Sequence, residues 1–128
     1  MLRLQNVCIG MTLFLILSCG KEKESFSKQE ASETTENPLV TKGKELFDGK
    51  GTCNACHKPN VKVIGPSILE IAKIYKEKNA NMVKFLKGEG EPIVDPSQYE
   101  VMKTNFSITK NMTDEELQAL EAYFYSFN

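Results

Sequence analysis

The chain has 128 residues, and its 16 Lys and Arg against 17 Asp and Glu give a formal net charge of -1 at pH 7. This balance excludes a strongly basic surface, so nucleic-acid binding is not expected, and the length is typical of one domain. The four cysteines fall into two separated pairs, which argues against a disulfide framework that uses all four.

The first 18 residues have the layout of a secretory signal peptide. Arg3 precedes an apolar stretch that is too short to span a bilayer comfortably. The stretch ends in ILSC, residues 16–19, which resembles the bacterial lipoprotein box. The resemblance implies that residues 1–18 are removed after Ser18 and that Cys19 carries several acyl chains, a stable membrane anchor. An ordinary signal peptide or an uncleaved anchor is the alternative.

Residues 19–38 are predicted to form a disordered tether. Lys, Glu, Ser, Thr, Gln and Asn dominate this segment, and Phe26 is its one large apolar side chain. Such a composition cannot bury enough apolar surface to offset the entropy lost on ordering. A frayed helix over part of the segment is the alternative. The folded domain is therefore placed at residues 39–128.

This domain shows helical periodicity and no convincing alternating strand, so the predicted fold class is all-α with about four helices. The first predicted helix has Val40, Gly43, Leu46 and Phe47 at three- and four-residue spacing. The second follows Gly65 and Pro66, and its apolar positions are Ile68, Ile71, Ala72 and Tyr75. The third covers residues 81–88, with Gly88 as its stop signal.

The last predicted helix has the clearest start. Thr113 as N-cap and Glu116 three positions later form a capping-box pattern, and Met112 with Leu117 forms a hydrophobic staple. The apolar stripe of this helix consists of Leu117, Leu120, Phe124 and Phe127, with Tyr123 beside it.

The sequence CNACH, residues 53–57, carries the chemistry of the domain. Structural zinc needs four ligands, and the domain contains only three candidates, Cys53, Cys56 and His57. A redox dithiol is expected near a βαβ pattern, which is missing, and it leaves His57 unexplained. The spacing Cys-Xaa-Xaa-Cys-His is the attachment motif of c-type haem: two thiols add to the vinyl groups and the imidazole binds the iron. Haem attachment therefore gives a role to all three residues. Zinc binding and a dithiol or disulfide are the alternatives.

Residues 39–128 resemble the small monohaem class I cytochromes c. The resemblance is carried by GKELF at 43–47, CNACH, GPS at 65–67 and LEAY at 120–123. It implies about four helices around one covalent haem c, with the first helix crossing the last at Gly43. It also implies that the backbone carbonyl of Pro66 accepts a hydrogen bond from the His57 imidazole.

The sixth iron ligand is predicted to be Met102. His57 is the single histidine, Met82 looks like a core residue, and Met112 already belongs to the staple. Met102 lies before the last helix in a stretch predicted to be irregular, where the resembled family keeps its axial methionine. The resemblance further implies that Asn105 helps to orient the methionine sulfur. The alternative is that Met102 packs against the porphyrin without binding iron.

These features predict an electron carrier rather than an enzyme, held by its lipid on the periplasmic side of a bacterial membrane. Its expected partners are redox proteins, a donor and a terminal oxidase or reductase. Two alternatives are a haem-based sensor or small-ligand binder with an open or labile sixth position, and an accessory subunit of a membrane enzyme complex. The expected haem walls are Ile64, Ile68, Ile71, Phe85 and Leu86. Lys50, Lys58 and Lys62 either steer an acidic partner or belong to a mixed solvated surface, which the formally neutral domain favours.

Overall fold

The computed structural model describes residues 37–127, and the predicted signal peptide, Cys19 and most of the predicted tether lie outside them. The described part is helical and contains no strand, so the all-α class is confirmed. None of its helices is both long and apolar enough to cross a membrane. The α-helices are α1 (Pro38–Asp48), α2 (Ile68–Glu77), α3 (Met82–Leu86), α4 (Tyr99–Lys103), α5 (Phe106–Thr109) and α6 (Asp114–Tyr125). Short 3-10 helices cover Cys53–Ala55 and Pro96–Gln98.

The four predicted helices correspond to α1, α2, α3 and α6, whereas α4 and α5 were not predicted. Met102 therefore lies in a short helix, and the prediction of an irregular stretch at this position is wrong. Helices of five and four residues are too short for an apolar face to repeat, so periodicity gives no signal for them. The first helix begins at Pro38, the residue assigned to the end of the tether, with Asn37 as its N-cap.

The most extensive packing in the described domain is between α1 and α6. Gly43 makes it possible, because a Cβ atom at this position would lie 1.9 Å from the backbone oxygen of Ala119. Around this crossing, the Phe47 ring lies 5.2 Å from that of Tyr123 and 5.7 Å from that of Phe124, centroid to centroid. The close crossing implied by the resemblance is therefore present.

The start of α6 has the predicted capping box. The Thr113 hydroxyl accepts from the Glu116 backbone N–H at 3.2 Å, and the Glu116 carboxylate accepts from the Thr113 N–H at 3.0 Å. Met112 and Leu117 are both buried in the core. These local contacts fix the residue at which α6 begins.

Polar side chains also cap the starts of α2 and α3. Ser67 is the N-cap of α2 and accepts from the Glu70 N–H at 3.1 Å, so Pro66 lies just before the cap rather than in the first turn. Asn81 caps α3 by accepting from the Lys84 N–H at 2.7 Å. Gly88 has φ +74°, a left-handed conformation that stops α3 as predicted.

The core is one cluster of buried apolar side chains to which α1, α2, α3 and α6 all contribute. The short helix α5 packs against it through the partly buried Ile108, and the hydroxyl of the buried Thr109 donates to the Leu86 backbone oxygen at 2.6 Å. The segment between α3 and α5 is thus attached to the core at its end, and it forms one side of the cavity described next.

Candidate functional site

An apolar cavity of about 250 Å³ lies beside the CNACH sequence. Both the part of the chain before α3 and the part after it line this cavity, so the site is built by tertiary packing. The residues that line it include Cys53, Cys56, His57, Ile64, Pro66, Ile71, Tyr75, Met82, Phe85, Leu86, Ile93, Val94, Asp95, Tyr99, Met102, Asn105 and Phe124.

The two cysteines occupy a tight turn at the cavity wall. The backbone N–H groups of Cys56 and His57 both donate to the Cys53 carbonyl, at 3.1 and 3.0 Å. Thr52 precedes the turn with φ 51° and brings the chain into it. Burial raises the pKa of the Cys53 thiol to about 11, so this sulfur is neutral at pH 7. An uncharged sulfur suits an apolar wall, as a thioether would.

The His57 ring is positioned by a hydrogen bond and by close packing. Its Nδ1 lies 2.7 Å from the backbone oxygen of Pro66, the hydrogen bond that the resemblance implied. Because a carbonyl only accepts, Nδ1 carries the proton and Nε2 keeps a lone pair that can bind a metal. Gly65 packs against the ring, since a Cβ there would lie 2.5 Å from His57 Cε1. Burial lowers the pKa of His57, which the Pro66 carbonyl offsets only in part, so the neutral imidazole is favoured.

Two methionines line the cavity. Met102 in α4 is half-buried, and Met82 in α3 is 2% exposed and also belongs to the core. Met112 is buried in the core and does not line the cavity. The structure thus brings Met102 to the same cavity as Cys53 and His57, and it places Met82 there too, which the sequence did not indicate.

Asn105 lies three residues after Met102 and forms hydrogen bonds near the cavity. Its side-chain Nδ2 donates to the Gly51 carbonyl at 3.2 Å, and its Oδ1 accepts from the Thr52 hydroxyl at 3.4 Å. Its backbone N–H donates to the Met102 carbonyl at 3.0 Å. The side chain therefore ties the end of the Met102 segment to the residues just before Cys53.

Four of the five predicted haem walls line the cavity: Ile64, Ile71, Phe85 and Leu86. Ile68 does not; it is fully buried in the core, because periodicity finds the buried face of a helix and cannot separate core from cavity. Sequence reasoning missed Ile93 and Val94, which lie in EPIVDP, a segment rejected as a strand and not considered as a wall. Tyr75 and Tyr99 were also missed as lining residues.

All three lysines near the CNACH sequence form an ion pair or a hydrogen bond within the domain. Lys50 is 2.7 Å from a Glu116 carboxylate oxygen, and Lys62 is 2.6 Å from an Asp95 carboxylate oxygen. Lys58 donates to the Asn54 carbonyl at 2.8 Å. Two of the three charges are thus paired within the chain, which weakens the case for a lysine ring that steers an acidic partner.

Within residues 37–127, no three His, Cys, Asp or Glu side chains come together in a group that could hold a metal ion. The zinc alternative therefore lacks a ligand set in the described domain. The absence of a strand there likewise removes the βαβ setting that a thioredoxin-like dithiol needs.

An all-α domain with a Cys-Xaa-Xaa-Cys-His turn in the wall of an apolar cavity defines the c-type haem proteins as a class. A family model described as cytochrome c matches residues 40–127, so the chain belongs to the cytochrome c family, as a class I member. No curated protein matches the sequence well enough to count as a relative. Family membership makes the chain a haem-based electron-transfer protein with a covalently bound c-type haem. The neutral Cys53 sulfur, the His57 tautomer and the apolar walls fit that group.

Proposed function

We propose that the protein carries single electrons through a haem held by Cys53 and Cys56, with His57 and Met102 as the axial ligands. The observation that carries this proposal is that all four side chains line one apolar cavity. When bound, the haem supplies a one-electron couple between Fe(III) and Fe(II). The chain supplies the thiols, the two ligands and the water-excluding walls.

His57 and Met102 have separate tasks in this proposal. The Pro66 carbonyl fixes the orientation of the His57 ring and strengthens the imidazole as a donor. If Met102 were the second iron ligand with His57, this ligand pair would raise the reduction potential relative to other pairs. With both positions filled, no site is left for a substrate, so the protein transfers electrons without being an enzyme.

The proposal places the domain on the periplasmic side of a bacterial membrane, tethered by the lipid on Cys19. It rests on the ILSC sequence at residues 16–19 and on the polar segment that follows it. The partners are redox proteins, a donor and a terminal oxidase or reductase, reached while the domain stays near the membrane.

A visible spectrum of the full chain, matured with c-type haem, tests the ligation. We expect a low-spin spectrum with the far-red Met–Fe(III) charge-transfer band in the oxidised protein. We also expect that carbon monoxide leaves the reduced spectrum unchanged, because the sixth position is filled. A high-spin spectrum, or one shifted by carbon monoxide, would instead support the haem-based sensor.

Lipid attachment to Cys19 can be tested separately from the haem ligation. Cells that express the full chain with a labelled fatty acid should label the protein through Cys19, and Cys19→Ala should abolish the label. Cys8→Ala is the matched control, because residue 8 lies in the segment that is predicted to be removed. Label that persists in Cys19→Ala would contradict the lipoprotein assignment.

A further inference from the structure

An ion pair joins two segments that both contribute residues to the cavity wall. Lys62 Nζ is 2.6 Å from Asp95 Oδ2. Lys62 belongs to the loop between His57 and α2, and Asp95 is itself a cavity-lining residue. The Asp95 side chain is only 15% exposed, whereas that of Lys62 is 56% exposed, so the pair reaches from the surface to the cavity wall.

Each end of this pair is coupled to a proposed iron ligand. The backbone of Lys62 forms an antiparallel bridge with His57. Asp95 stands immediately before the 3-10 helix Pro96–Gln98 and α4, which carries Met102. The Asp95 carboxylate accepts from the Ser97 hydroxyl at 2.5 Å, and its backbone oxygen accepts from the Gln98 N–H at 3.1 Å.

The other end of the segment that carries Met102 is also attached to the rest of the domain. Asn105, three residues after Met102, donates to the Gly51 carbonyl at 3.2 Å. The Met102 segment is therefore attached to the part of the chain around CNACH at both ends, by an ion pair before α4 and by a neutral amide contact after it. A methionine thioether is a weak, uncharged ligand, so its hold on iron depends on how firmly the segment is kept in place.

We propose that Lys62 and Asp95 are positioning residues. Their ion pair clamps the start of the segment that carries Met102, residues 95–105, to the loop between His57 and α2. The clamp sets how readily an outside ligand displaces Met102, and this inference rests on the His57 and Met102 ligation proposed above. Lys62 and Ser97 hold the pKa of Asp95 below its ordinary value, so the carboxylate is charged and the pair intact at neutral pH.

The test measures imidazole binding to the oxidised, haem-loaded full chain by visible spectroscopy at low salt. Lys62→Gln and Asp95→Asn should each bind imidazole at least threefold more tightly than wild type, and the double variant should add little to either. Lys62→Arg should restore wild-type affinity, because it keeps the charge. Raising the salt concentration should increase affinity in wild type more than in Lys62→Gln, since salt screens the exposed end of the pair.

Lys44→Gln is the matched control. Lys44 pairs with Asp48 at the same 2.6 Å and its side chain is 62% exposed, but this pair lies within α1 and neither residue lines the cavity. Equal imidazole affinity in wild type and Lys62→Gln, or an equal gain in Lys44→Gln, would overturn the clamp. A wild-type spectrum without the Met–Fe(III) band would overturn the ligation itself, so the two failures are distinguishable.

Discussion

Gly43→Ala is expected to destabilise the haem-loaded protein by about 3 kcal/mol or more, the upper range for forcing extra volume into a packed core. The new Cβ would lie 1.9 Å from the Ala119 backbone oxygen and 2.7 Å from Tyr123 Cβ. Neither atom can move aside without separating α1 from α6. Intrinsic helix propensity alone would make the Gly43→Ala protein more stable, because alanine is favoured over glycine by about 1 kcal/mol in a helix.

Denaturant unfolding of the oxidised protein measures this effect. Lys42→Ala is the control, since it introduces alanine at an exposed position of the same helix and should change the unfolding free energy by no more than about 0.5 kcal/mol. Neither α1 position lines the cavity, so the visible spectrum of the folded protein should be unchanged. A Gly43→Ala protein as stable as wild type would show that the helix crossing is looser than described.

Met102→Ala is expected to open the sixth position. The oxidised protein should lose the far-red Met–Fe(III) band, and the reduced protein should bind carbon monoxide. The reduction potential should fall by a value on the order of 0.1 V or more, because axial ligands set haem potentials over about 0.8 V. Visible spectra and a redox titration measure all three changes.

Met82→Ala is the matched control, because the structure places this second methionine in the same cavity. Met82 is 2% exposed, so its truncation should cost about 2–5 kcal/mol of stability while the far-red band persists. The reverse result, with the band lost in Met82→Ala and kept in Met102→Ala, would move the ligand assignment to α3.

The site could be predicted from the sequence in part. The Cys-Xaa-Xaa-Cys-His spacing identified the haem motif, and the cytochrome c family match agrees with it. The resemblance also implied the contact between His57 and Pro66, which the structure contains. In contrast, the partners of Asn105 and the second methionine in the cavity could not be predicted, because both depend on how α3 and α4 pack around the cavity.

Features that depend on neighbours within one or two helical turns could be predicted from the amino-acid sequence alone. The capping box of Thr113 and Glu116 and the stop at Gly88 are of this kind, because the interacting groups lie within a few residues of each other. The helical class follows from the same local spacing.

Tertiary packing, in contrast, determines which buried residues face the cavity and which distant segments are joined beside it. Ile68 and Ile71 share one apolar face of α2, yet only Ile71 lines the cavity. Lys62 and Asp95 are 33 positions apart, and nothing in their local sequence marks them as partners. Charged residues are common on any surface, so a pair across such a distance becomes visible only when packing brings the two side chains together.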